Sequence, residues 1–194
     1  MLGAEIMYSI GAYQVPVTTQ ANTSIQVSLK PAKKEDMIIS DKWSFNWKEL
    51  WEKTDFEYQN IIKLSYKDNI LGFIKYAVYV SEENIPYALE VLQLESVPKS
   101  TRQVAPIGQW LLWYVSQVAL SFCTLNENDE VLVYLDSLEE AIPYYKDIIK
   151  MEPKGWVTIA PGEDGYAFQF TVTGARDFCE RQTNTYGHSQ RIYS

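Results

Sequence analysis

Histidine and cysteine are nearly missing from this sequence: 194 residues include one histidine, His188, and two cysteines, Cys123 and Cys179. One imidazole and two distant thiols cannot assemble an ordinary structural zinc site, so no metal is expected. The same scarcity argues against Cys–His and Ser–His nucleophilic chemistry, which needs a base beside the nucleophile. With no apolar leader and two scattered cysteines, a disulfide framework is not expected, and a reducing cytoplasm is the expected setting. Positive charge is also short. Lys and Arg number 17 against 25 Asp and Glu, a net charge of −8. That balance opposes broad phosphate-backbone binding, so no nucleic-acid partner is expected, and it suits a cationic small molecule or peptide. No long uninterrupted hydrophobic run exists either. Residues 104–122 are the longest apolar stretch, broken by Gln109, Ser116 and Gln117 and containing Pro106 and Gly108, which is too polar to read as a membrane span. Chemistry here must run on carboxylates, tyrosines, lysines and backbone amides.

What is present reads as one α/β domain with two appendages. Residues 1–24 mix Gly, Thr and Gln without a helical period and are expected as an N-terminal tail or loosely attached segment. Residues 25–29 alternate apolar and polar, as a strand does. Residues 58–66 and 70–80, rich in β-branched and aromatic side chains, flank Lys67-Asp68-Asn69 and predict a hairpin. Residues 88–97 form a further strand closed by Pro98, 107–122 a helix, and 130–134 a short buried strand. Ser137 followed by Glu140 is a capping box that predicts a second helix. Residues 156–160 and 166–172 flank Pro161-Gly162-Glu163-Asp164-Gly165 as a last hairpin. Residues 176–194 are expected as a polar C-terminal tail. Trp43, Trp47 and Trp51 recur every four residues, which on a helix gives one stripe. That stripe is either packed on the core or an exposed wall for a substrate, a second copy or another partner.

Four segments in this order resemble the GNAT superfamily, acyltransferases that move an acyl group from coenzyme A to an amine. Leu29-Lys30-Pro31-Ala32 with Glu35-Asp36 is similar to the family's opening strand and R-P-A-x-x-E-D element. Ile70-Leu71-Gly72-Phe73 is similar to its I-x-G-F strand. Residues 90–98 running into 103–108 resemble its strand, loop and helix start, and residues 137–146 resemble its S-x-x-x-A-I-P-F-Y-E helix. The resemblance spans roughly residues 25–171, within a domain set at 25–175. It implies a mixed, mostly antiparallel twisted sheet flanked by helices. It also implies acetyl coenzyme A, or another coenzyme A thioester, as cofactor, and an amine-bearing small molecule or peptide as acceptor. A homodimer is left open.

A helix start carries unpaired N–H groups and partial positive charge, so a diphosphate can dock there without a basic side chain. The family's loop reads Q/R-x-x-G-x-G/A. Gln103 and Gly108 match its ends, while Pro106 stands where the first glycine belongs and removes one donor. The resemblance therefore implies a cradle of Gln103 and the amides of Val104, Ala105, Ile107, Gly108 and Gln109, with Arg102 or Lys99 in reach. Alone, the segment also reads as proline at the first turn of a buried helix. Glu90 matches the family's strand carboxylate, a general base for the amine. Glu95 is a reserve, placed on the opposite face by strict alternation unless a bulge intervenes. The Leu94 amide is the implied oxyanion donor, with Ser96 backbone groups on the pantetheine arm. Tyr145 matches the helix tyrosine that protonates the departing thiolate, and Tyr144 is expected to pack inward. The rival to this enzyme is a GNAT-like module that binds coenzyme A, or a partner, without catalysis.

Overall fold

A computed structural model describes residues 7–37, 42–123 and 130–193. The ten strands are β1 (Ala12–Thr19), β2 (Ser24–Pro31), β3 (Gln59–Tyr66), β4 (Asn69–Val80), β5 (Pro86–Ser96), β6 (Val104–Ala105), β7 (Val131–Leu138), β8 (Glu152–Ala160), β9 (Glu163–Thr171) and β10 (Gln190–Ile192). They form one sheet in the order β10-β1-β2-β3-β4-β5-β7-β9-β8, with β6 paired to the end of β1. Every pairing is antiparallel except β5 with β7. This is the mixed, mostly antiparallel α/β architecture expected from the sequence.

The helices divide between two faces. Helices α2 (Gly108–Phe122) and α3 (Val172–Tyr186) pack on one, and α1 (Trp47–Glu52) on the other. Helix α2 buries Trp110, Leu111, Leu112, Trp113, Tyr114, Val115, Val118 and Ala119, because the sheet covers one side of it and α3 another. On the opposite face Trp47, Phe73, Ile61, Ala32 and Met37 make a smaller core. Trp47 is 2% exposed, with its ring 4.8 Å from that of Phe73. The tryptophan stripe is therefore packing and not an exposed anchor. The helix is also shorter than the four-residue repeat suggests, because Asn46 caps it by accepting from the Glu49 amide, leaving Trp43 outside.

Three segments differ from expectation. Within the N-terminal 24 residues, β1 is held inside the sheet. Val15 and Val17 are buried, and the Trp110 indole donates to Pro16 O at 2.7 Å and Tyr114 to Gly11 O at 2.9 Å; the first six residues of that segment lie outside the described residues. The polar run after 172 is helix α3, capped by Thr171, whose hydroxyl accepts from Gly174 N. Ser137 and Leu138 do not start a helix but finish β7, with Ser137 opposite Tyr166. A 3₁₀ turn (Glu139–Ala141) follows, then a π-helix (Tyr144–Ile149) behind Pro143. Proline has no N–H to continue an α-helical ladder, which accommodates the wider winding.

Candidate active site

Strands β5 and β7 touch only briefly. Leu89, Glu90 and Val91 lie opposite Val133, Tyr134 and Leu135, and there the pairing ends. Beyond it β5 stays with β4 through Gln93, Leu94, Glu95 and Ser96, while β7 stays with β9 through Asp136, Ser137 and Leu138. The two strands thus open into a fork. Its hinge is a bulge at Leu92, which has no partner between the pairs Tyr76–Val91 and Lys75–Gln93. Val97 N donates to Leu71 O, so alternation turns Glu95 toward β4 and the amides of Leu94 and Ser96 away from it, toward the side where β7 has departed.

The bulge also resets the faces. Glu90 lies opposite Ala77, and Glu95 opposite Phe73, so both project from the α1 face. Glu95 is committed there: its carboxylate accepts from Ser44 N (2.5 Å), Phe45 N (3.3 Å) and Trp47 Nε1 (2.8 Å), tying the start of α1 to the sheet. Glu90 accepts from the Tyr79 hydroxyl at 2.5 Å, which raises the pKa of that phenol above its ordinary value. Beside Glu90 on β7 stands Tyr134, its hydroxyl raised still more strongly, first by burial and then by Tyr79 and Glu90. Lys75, opposite Gln93 on the same face, is 5% exposed and within ion-pair distance of no carboxylate among the described residues; burial lowers its pKa. The buried Gln93 Oε1 has no hydrogen-bond partner among the described residues. Neither Lys75 nor the tyrosines were singled out by the sequence reading. A lysine alternating with Phe73 and Ala77 inside a hydrophobic strand was the available signal.

At the mouth of the fork the N-terminus of α2 lies under β5. Trp110 and Leu111 donate to Ile107 O, so the helix begins with Ile107 as cap, and the amides of Gly108 and Gln109 precede its first intrahelical donors. Pro106 stands before that cap rather than in the first turn. A Cβ on Gly108 would sit 2.6 Å from the Tyr144 hydroxyl and 3.6 Å from Leu94 Cδ2, so Leu94, Gly108 and Tyr144 meet at one point. Arg102 joins them: its Nη2 donates to Ser96 Oγ (2.6 Å) and Val97 O (3.1 Å). Tyr144 is thus aimed at the helix start, with its phenol raised by burial and pulled back partly by Arg102. Gln103, Val104 and Ala105 run along the end of β1. Gln20 N donates to Gln103 O, and ladder alternation turns the Ala105 N–H to Thr18 and that of Val104 away from β1. Beside them is a cavity of about 300 Å3 whose lining includes Lys99, Arg102 and Thr19.

Tyr145 sits at the closed end of the fork. Its ring is 5.7 Å from that of Phe168, which lies opposite Leu135, the last residue of β7 paired with β5. Burial pushes its hydroxyl up to about 12, so it holds its proton at neutral pH. The described residues contain no group of three His, Cys, Asp or Glu side chains that could hold a metal ion, and no helix long and apolar enough to cross a membrane.

No family model and no curated protein sequence matches the chain. Solved structures do. Mycobacterium smegmatis RimJ, in complex with CoA-disulfide, superimposes with a TM-score of 0.54 at 10% identity over 93% of this chain and 97% of its own. Arabidopsis thaliana Naa50, in complex with a bisubstrate analogue, gives 0.54 at 16% identity over 76% and 99%. A putative GNAT-family acetyltransferase from Desulfovibrio desulfuricans gives 0.51 at 11% identity over 75% and 99%. At such identities the likeness is one of architecture, and the forked sheet above the α2 N-terminus is therefore the GNAT acetyltransferase fold.

Proposed function

We propose that the protein is an N-acyltransferase that moves an acetyl or other acyl group from coenzyme A to a primary amine. The observation that carries this reading is the fork: two strands that separate after a bulge, with outward-turned amides on one arm and a helix N-terminus at the mouth. Such a gap accepts the extended pantetheine arm as a third strand, and the amides of Ile107, Gly108 and Gln109 meet the diphosphate. Lys99 and Arg102 supply nearby positive charge, offsetting the donor that Pro106 lacks.

In the reaction Glu90, directly or through water, takes a proton from the acceptor ammonium. The freed nitrogen lone pair attacks the thioester carbonyl carbon, and the carbonyl electrons move onto oxygen, where the Leu94 amide stabilises them. Collapse breaks the carbon–sulfur bond, and the thiolate takes the Tyr145 proton. The second nitrogen proton, lost as the amide forms, passes through water to the Tyr145 phenolate while Glu90 returns its own to solvent. The products are an amide and free coenzyme A. A high phenol pKa keeps the Tyr145 proton in place until the thiolate appears.

The seating of Tyr144 against Gly108 and of Arg102 on Ser96 favours a second reading, in which the chain's own side chains fill the cofactor seat and the fold serves binding alone. One series of measurements decides. Acetyl coenzyme A is expected to raise the melting temperature and to release thiol only when an amine is added. Tyr145→Phe is expected to lower kcat by about a hundredfold with little change in KM. Stabilisation without amine-dependent thiol shows a seat that binds coenzyme A without catalysis, and no stabilisation by any coenzyme A thioester is the result expected where Tyr144 and Arg102 fill the seat; either removes the acyltransferase reading.

A further inference from the structure

The α1 face has a polarity along β5 that the acyltransferase reading does not use. At the fork stand Lys75, buried and without a counter-ion among the described residues, and Gln93, directly opposite it, whose side-chain oxygen has no partner among them. Toward the start of β5 the character reverses. Glu90 comes next, and beyond it three tyrosines close around one place. The Tyr79 ring lies 5.9 Å from Tyr134 and 6.4 Å from Tyr87. A second bulge, between the pairs Tyr79–Ala88 and Val80–Pro86, leaves Tyr87 unpaired. Tyr87 and Tyr134 line a cavity of about 470 Å3 with Ala88, Glu130 and Gln169, and the Glu152 carboxylate accepts from Gln169 at 2.7 Å. Aromatic faces backed by carboxylates attract an organic cation and offer little to a neutral or anionic group.

We propose that this tyrosine-walled cavity is the specificity site for the acceptor, and that it takes a second, non-reacting ammonium of a dicationic alkylamine while the reacting nitrogen lies at the fork. The proposal rests on the acyltransferase reading and names its substrate class. The Lys75 charge disfavours an ammonium at the fork and favours the neutral amine that attack requires. Gln93 Oε1 can accept from that amine. Glu90, between the two ends, is placed to receive the proton. From Ala88 to Gln93 are five positions, one of them the bulged Leu92, so the two nitrogens are separated by roughly 13 Å at about 3.3 Å per residue.

Two measurements test this, one of which needs no catalysis. Tetramethylammonium, which cannot be acylated, is titrated into the full chain while tyrosine-ring resonances are followed by NMR. Saturable shifts that Tyr87→Leu and Glu130→Gln weaken support the site; Tyr87 is 46% exposed, so its replacement leaves the fold intact. Acyl transfer is then compared between long α,ω-diaminoalkanes and monoamines of matched length. The diamines are expected to have a KM lower by about tenfold, an advantage that Tyr87→Leu removes. Transfer that is equally good with monoamines, or a cation titration without saturation, overturns the proposal even if the protein is an acyltransferase. A saturable, Tyr87-dependent cation site in a protein that acylates no amine retains the site and discards the reaction.

Discussion

Two glutamates five residues apart have come to separate jobs. Sequence alternation puts Glu90 and Glu95 on opposite faces of β5; the bulge at Leu92 puts both on the α1 face. No residue type in Leu92-Gln93-Leu94 announces a bulge, so this part of the site was not legible without coordinates. The contacts then separate the pair. Glu95 receives three hydrogen bonds from the segment entering α1, and Glu90 receives one, from Tyr79. Hydrogen bonds to a charged acceptor are worth about 1.5–3 kcal/mol each, and several of them share one carboxylate here. Glu95→Ala is accordingly expected to lower unfolding free energy by roughly 2–3 kcal/mol in urea and to speed amide exchange around residues 44–52, with a turnover defect no larger than the loss of folded protein. Glu90→Gln is expected to do the reverse, lowering kcat/KM while urea midpoints barely move. Equal stability losses in both variants would show that neither carboxylate is reserved for chemistry.

At the scale of elements, strands and their turns were the most readable part. The 59–66 and 69–80 hairpin and the 152–160 and 163–171 hairpin follow from alternating β-branched and aromatic residues around turn formers. What escaped was decided by partners distant in sequence. Strand β1 reads as loose because its short side chains gain their burial from α2, and Ser137 reads as a cap because its pairing with Tyr166 of β9 is invisible locally. Helix α3 did leave a trace. Ala175, Phe178, Cys179 and Gln182 are its buried residues and recur at helical spacing inside an otherwise polar run. Gly72, part of the segment that resembles the family's I-x-G-F strand, has a packing reason. A Cβ there would approach Glu95 O and Ile107 Cγ2 to 2.9 Å and Leu111 Cδ1 to 3.0 Å. Backbone and a helix cap cannot both yield, so Gly72→Ala is expected to cost about 1–3 kcal/mol and to shift α2 away from the fork. The check is a melt together with cofactor affinity: both should fall, and a variant as stable as the parent would show that α2 is not held so closely.

For the molecule as a whole, the large core has a consequence for alkaline stability. Burial holds the thiols of Cys123 and Cys179 and the phenols of Tyr114 and Tyr145 up at about 12 each. In the unfolded chain the thiols ionise near about 8.5 and the phenols near about 10. Folded pKa values therefore exceed unfolded ones, and the folded state binds these protons more tightly. Its full stability is present below about pH 8.5 and is lost as pH climbs toward 12. Each group contributes a slope of about 1.4 kcal/mol per pH unit once its unfolded form has ionised. By about pH 11 the two thiols and two phenols together remove roughly 5–10 kcal/mol, comparable to the whole stability of an ordinary domain. The expected outcome is a cooperative loss of far-UV ellipticity between about pH 10 and 12, with tyrosinate absorbance rising in two stages. Exposed members of the 14 tyrosines titrate first, and the buried ones only as the chain unfolds. Cys123→Ser and Cys179→Ser should each flatten the descent between about pH 9 and 11 by removing one of its proton sinks. A single smooth tyrosinate curve near about pH 10 with ellipticity intact would mean that water already reaches these side chains, and that the helices do not seal the sheet face beneath the fork.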